Sequence, residues 1–265
     1  MLNMLRSDIY RLWKSGALVA FPIAAAIVFA LFGTAEIMDG AWSGRAGSGD
    51  LYDPTFVGLA SAVGFGNVFL LPLVSCGWMV WLLDSDIKTG ALKTVFVTSR
   101  ARAHYIVAAL IICCAGAVVA TAILLAVCAW LPADGTIEVA PADAGLVAQW
   151  AVLAALVCAC FGSIALGIYL LCGGSRAAWF VVILLCCGVL GKVAMAVLAL
   201  ATVAGGGEEV LELATLLPSA SAYVLKGGLR YLAVDGVMFK VAFYPVFWIT
   251  VSSIAAYARM RRFMV

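Results

Sequence analysis

Lys88, Lys93, Arg100 and Arg102 fall within one short stretch, Asp84–Tyr105 (DSDIKTGALKTVFVTSRARAHY), offset only by Asp84 and Asp86. Their chemistry is electrostatic: they can hold anionic lipid or the carboxylates of a cytoplasmic partner. On a helix, Ile87, Ala91, Leu92 and Val95 would form an apolar stripe, with Asp84, Lys88 and Thr89 facing elsewhere. The segment is expected to lie in water at a membrane face, as a basic loop or as a short helix parallel to the membrane. Two further polar residues sit inside apolar runs. Asn67 would serve as a helix-to-helix hydrogen bond or as a substrate contact. Lys192 lies about 20 Å from the inner end of its run at 1.5 Å per residue, where it would snorkel outward, pair inside the bundle or line a translocation path.

Covalent and cofactor chemistry has little to work with. The chain has no GxxxxGK[ST] loop and no GxGxxG fingerprint for nucleotide phosphates, and no HExxH zinc helix. The single histidine, His104, cannot supply paired haem ligands. No catalytic residue, metal site or cofactor is expected in the chain itself, and nothing points to nucleic acid. The nine cysteines all fall in apolar runs, which suits small packing residues better than a disulfide scaffold.

The elements that must position these residues are set by composition. With 66% hydrophobic and 11% charged residues in 265, and a mean hydropathy of +1.14, the chain is too apolar to cover itself as a soluble globule. An all-α integral membrane protein of one domain, 1–265, is expected. Six spans are read at about 17–37, 56–83, 106–131, 146–171, 179–203 and 241–257, each near the roughly 20 residues that cross a bilayer. The first run has no small-residue processing site after it and is read as a retained span. Pro72 is the expected kink in the second span, whose Gly58, Ala62 and Gly66 would let a neighbour approach closely. Residues 1–16 carry Leu2, Leu5, Ile9, Leu12 and Trp13 at helical spacing, the pattern of an amphipathic helix in the interface. Between 205 and 240, Pro218 and the Gly227–Gly228 pair interrupt the chain, so short interfacial or re-entrant helices are expected there instead of a seventh crossing.

Charge gives the orientation. The amino end, the 84–105 loop, the 173–178 turn and the carboxyl end hold 11 of the 16 lysines and arginines but three of the 14 acids. Basic excess marks the cytoplasmic side, so both termini are expected inside.

The opening LNMLRSDIYRLWKS, at 2–15, and the segment DSDIKTGALKTVFVTSRARAHYIVAALI, at 84–111, resemble the permease subunits of type-2 ABC exporters. The likeness is to the small six-span subunits of transporters that give immunity to lantibiotics and related antimicrobial peptides. In that family the first inner loop has an acidic start, then I-K-x-G-x-[IL]-K, then S-R-x-x-R-x-x-Y. Ile87, Lys88, Gly90, Leu92 and Lys93 match the first motif, and Ser99, Arg100 and Tyr105 match much of the second. Arg102 stands one position before the second arginine, where this chain has Ala103. The broken stretch LATLLPSASAYVLKGG, at 213–228, is similar to the family's outer re-entrant element.

The resemblance implies a bacterial cytoplasmic-membrane exporter of an amphipathic substrate, antimicrobial peptide foremost. Two permeases would pair, as a homodimer or heterodimer, above two separate ATPase subunits that hold ATP and Mg. Residues 87–98 would be the coupling element, so the chain would be a transporter subunit and not itself an enzyme. A secondary transporter without an ATPase, or a non-transporting assembly subunit, are the other classes compatible with the residues.

Overall fold

The structure is a computed structural model that describes residues 2–38, 55–88, 99–131, 143–173, 176–202, 213–228, 232 and 236–262. These residues form ten α-helices and one short 3₁₀ turn, with no β-strand among them. In chain order the helices are α1 (Leu2–Lys14), α2 (Ala17–Met38), α3 (Phe56–Phe65), α4 (Leu70–Lys88) and α5 (Ser99–Trp130). They continue with α6 (Ala144–Leu171), α7 (Arg176–Cys186), α8 (Val189–Ala201), α9 (Pro218–Lys226) and α10 (Val237–Arg262), the 3₁₀ turn Leu213–Leu216 preceding α9. Five helices, α2, α4, α5, α6 and α10, are long and apolar enough to cross a membrane, and α7 with α8 makes a sixth if the bent pair is one span. The chain is therefore a multi-pass, all-helical membrane protein.

The helix α6 is the centre. Of its most apolar stretch 67% is buried inside the protein, against 17% for α10 and 22% for α2, which leaves the flanks of those two helices to face lipid. Around α6 pack α10, α4 and α5. Lipid is as apolar as leucine, so what holds these helices together is close packing and hydrogen bonding more than removal from water. Trp150, Phe161 and Tyr169 of α6 are fully enclosed. Gly162 faces Cys113 of α5 so closely that a β-carbon there would collide with the Cys113 Sγ. On the other flank Ser252 of α10 donates to Ser163 Oγ at 3.0 Å.

The stretch expected as the second span, 56–83, is two helices, of which α4 alone is long and apolar enough to cross, and the fifth span is bent. The split between α3 and α4 falls at Gly66–Phe69, not at Pro72 as the sequence leads one to expect. Pro72 sits in the first turn of α4, where the missing N–H would have had no helical partner in any case, so it does no damage. The other break, within the fifth span, bends α7 and α8 by 66°. There Gly188 takes φ +69° as the N-cap of α8, a left-handed conformation that costs glycine little and other residues more. A third glycine turn, Gly16 at φ +71°, ends α1 and starts α2, its N–H donating to Trp13 O at 3.0 Å.

Candidate functional site

The charged segment singled out from the sequence enters two helices. α4 continues to Lys88 and α5 begins at Ser99, so the two ends of that segment are helical. Three of their residues are enclosed, Asp86 at 1% exposed, Tyr105 at 4% and Arg102 at 8%, while Lys88 and Ala103 are exposed. The expectation that Asp84–Tyr105 lies in water is thus corrected at its ends. Asp84 and Asp86 lie two residues apart on a helix, about 200° around its axis, and so reach different neighbours.

Asp86 turns toward α1 and α5. Arg11 Nη1 of α1 lies 2.5 Å from its Oδ1, and Tyr105 Oη of α5 donates to its Oδ2 at 2.8 Å. Arg11 also forms an ion pair, one turn back, with the buried Asp8. Asp84 turns toward α6, where Tyr169 Oη donates to Oδ1 at 2.7 Å, and it pairs with the exposed Lys88 one turn on. One short acidic sequence therefore ties four helices, α1, α4, α5 and α6, at the same end of the bundle.

The electrostatics follow from burial. Burial pushes the Asp8 carboxyl above its usual range, against the hydrogen bond and charge of Arg11. For Arg11, burial alone would favour loss of the proton, but Asp86 and Asp8 outweigh it and hold the guanidinium charged. A cation between two buried acids is the arrangement in which removing any one charge is costly.

The remaining expected coupling residues are placed as follows. Ile87 is half-buried against the main core, and Lys88 ends α4 with its side chain in the open. Arg100 lies in the first turn of α5. Gly90, Leu92 and Lys93, together with the rest of the expected coupling helix at 89–98, lie outside the described residues.

Asn67 and Lys192 flank a second junction, where the turn between α3 and α4 meets the bend between α7 and α8. The Phe69 N–H donates to Cys186 O at 3.0 Å, a backbone bond from one break to the other. The Phe69 ring sits edge-on to Tyr223 of α9 at 5.0 Å and to Phe161 at 6.0 Å. Asn67, two residues before Phe69, is exposed, and its side chain makes no hydrogen bond with a described residue. The helix-to-helix bond expected of it is not made. Lys192, in the first turn of α8, is also exposed.

No protein-family model and no curated protein matches the chain. Among the described residues no group of His, Cys, Asp or Glu could hold a metal ion, and the cysteines there are all free thiols, six of them buried. Cys114 and Cys172 are exposed, against the packing role expected of them.

Asp8, Arg11, Asp86 and Tyr169 were not among the residues singled out from the sequence. The signal was present. Asp84 and Asp86, at i and i+2, point about 200° apart on a helix, so when one lies toward water the other turns toward a neighbouring helix, where a buried acid needs a donor.

Proposed function

We propose that this chain is the membrane permease of an ATP-driven exporter of the type-2 ABC class, moving an amphipathic substrate, antimicrobial peptide foremost, out of the membrane or cell. The observation that carries this reading is the Arg11 bridge from α1 to the buried Asp86 at the end of α4, tied in turn to α5 by Tyr105. In this reading α1 lies along the cytoplasmic interface and residues 87–98 face the ATPase. A displacement of that segment then reaches α1, α4, α5 and, through Asp84 and Tyr169, α6 as one unit. ATP and Mg belong to two partner subunits, and a second permease, identical or related, completes the path. The short elements at 213–226 form the outer re-entrant part.

The test is removal of positive charge from the partner-facing segment by Lys88→Gln, Lys93→Gln and Arg100→Gln together. Copurification of an ATPase with the wild-type chain and loss of that ATPase, or of its coupling to export, in the folded triple variant is expected. Unchanged ATP turnover and export in reconstituted vesicles would overturn the reading.

One observation favours a second reading, a secondary transporter. The fifth span is bent by 66° between α7 and α8, and its break meets the turn between α3 and α4, the Phe69 N–H donating to Cys186 O. An interrupted helix within the bundle is a feature of substrate sites in carriers built from inverted repeats. Uphill transport by the purified chain without ATP would select it.

A further inference from the structure

The three backbone N–H groups that open α8 find no acceptor among the described residues. Its first helical bond runs from Lys192 N–H to Gly188 O at 2.9 Å, and the N–H groups of Val189, Leu190 and Gly191 make none. Gly188, the N-cap, has no side chain to offer them. This turn lies at most about 18 Å from Arg176, twelve residues at the helical rise, and so within the roughly 30 Å of hydrocarbon in a bilayer. Lipid supplies no acceptor at that depth, and such backbone is tolerated only where protein or a water-filled recess meets it.

Two hydroxyls of α9 stand beside the same turn. Ser219 and Tyr223, four residues apart, share one face of that helix. A β-carbon at Gly191 would collide with Ser219 Oγ, and one at Gly188 would lie 3.2 Å from Tyr223 Oη, so glycine at both positions lets the hydroxyls approach. A helical β-carbon tilts toward its own N-terminus, which places Ser219 Oγ on the side of Gly191 where the free N–H groups point. Ser219 is 5% exposed, and its hydroxyl makes no hydrogen bond with a described residue. Unlike Ser221 Oγ, it is not sealed off from outside. The Tyr223 hydroxyl is likewise without a partner among the described residues, on a side chain that is exposed. Lys192, also exposed, makes no ion pair with a described residue. A cation in a first turn adds to the positive pole of the helix instead of offsetting it. Each of these groups can donate, and no anion among the described residues answers them.

We infer that the first turn of α8 binds one carboxylate of an amphipathic ligand. The free N–H groups, the Ser219 and Tyr223 hydroxyls and the Lys192 ammonium hold the carboxylate, and the apolar part of the ligand lies in the surrounding lipid. In carriers with interrupted spans, half-helix N-termini receive anionic substrate groups. A fatty acid and the carboxyl end of an amphipathic peptide both carry the required group. The inference rests on membrane residence alone and holds with or without an ATPase partner.

The test is saturable binding of tritiated dodecanoate to the purified full chain, read by scintillation proximity, with dodecanol as the uncharged competitor. One dodecanoate per chain is expected, and dodecanol should not displace it. Lys192→Gln, Ser219→Ala and Tyr223→Phe should each weaken binding about tenfold, the worth of a hydrogen bond to a charged group at about 1.5 kcal/mol. Unaltered thermal unfolding of the ligand-free variants separates loss of the site from loss of the fold. Displacement by an amphipathic peptide with a free carboxyl end, but not by its amidated form, assigns the group to a peptide; displacement by neither assigns it to a fatty acid. Absence of saturable binding, equal competition by dodecanol, or unchanged affinity in all three variants would overturn the inference. So would binding that emerges only after Glu208→Gln, Glu209→Gln and Glu212→Gln together, since an acid of the chain itself would then occupy the turn.

Discussion

The two junctions of this protein are built from opposite materials. At one end, Asp84 and Asp86 gather α1, α5 and α6 through charged side chains and two tyrosine hydroxyls, and each helix is intact where it makes the contact, near one of its ends. Where the turn between α3 and α4 meets the fifth span, the contact is a backbone bond and an aromatic cluster, and the fifth span is bent there by 66°. Continuous helices joined by buried charge move together, because separating them strands an ion. Interrupted helices joined through a glycine and edge-on rings can change angle at small cost. The contrast assigns transmission to the first junction and bending to the second.

Substitutions sharpen that contrast in order of expected size. Asp86→Ala strands Arg11 and Tyr105 together and should lower stability by about 3–5 kcal/mol, read by denaturant unfolding in detergent. It should also release α1, so that trypsin cuts at Arg6, Arg11 and Lys14 in the folded protein. A smaller loss would place the weight of this end on packing. Tyr105→Phe removes one hydrogen bond to a charged group and should cost about 1.5–3 kcal/mol in the same assay. At the second junction, Gly188→Ala forces a side chain into a left-handed backbone, at about 1–2 kcal/mol. The new β-carbon would also come within 3.2 Å of Tyr223 Oη. Its signature should be a changed distance between the two halves of the fifth span, measured by paired spin labels on α7 and α8, with α1 still protected from trypsin. The smallest effect belongs to Lys88→Gln, whose side chain is 73% exposed and should contribute less than about 0.5 kcal/mol.

The sequence made the spans legible because a bilayer demands long apolar runs, and these survive any detail of packing. It was less informative about where a span breaks. Gly66 reads as one of a row of small residues fit for helix packing, and Pro72 draws attention as a helix breaker. The chain instead bends at the glycine and tolerates the proline in a first turn. The coupling residues were visible as charge, but their partners were not. Counting basic residues sets orientation while giving acids little weight, so Asp86 and Asp8 passed as minor offsets to a basic segment. Tyr105 stood out only through the resemblance to permeases, and Tyr169 lies 85 residues along the chain from Asp84, a distance that no local pattern spans.

The central claim is that Arg11 and Asp86 act as one unit fastening α1 to the bundle. A double-mutant cycle of Arg11→Gln and Asp86→Asn, followed by unfolding of the purified chain, measures this directly. A coupling of at least about 1 kcal/mol is expected for residues in such contact, with the double variant losing less than the two single losses added together. Strict additivity would contradict it, and would leave α1 held by its apolar face alone.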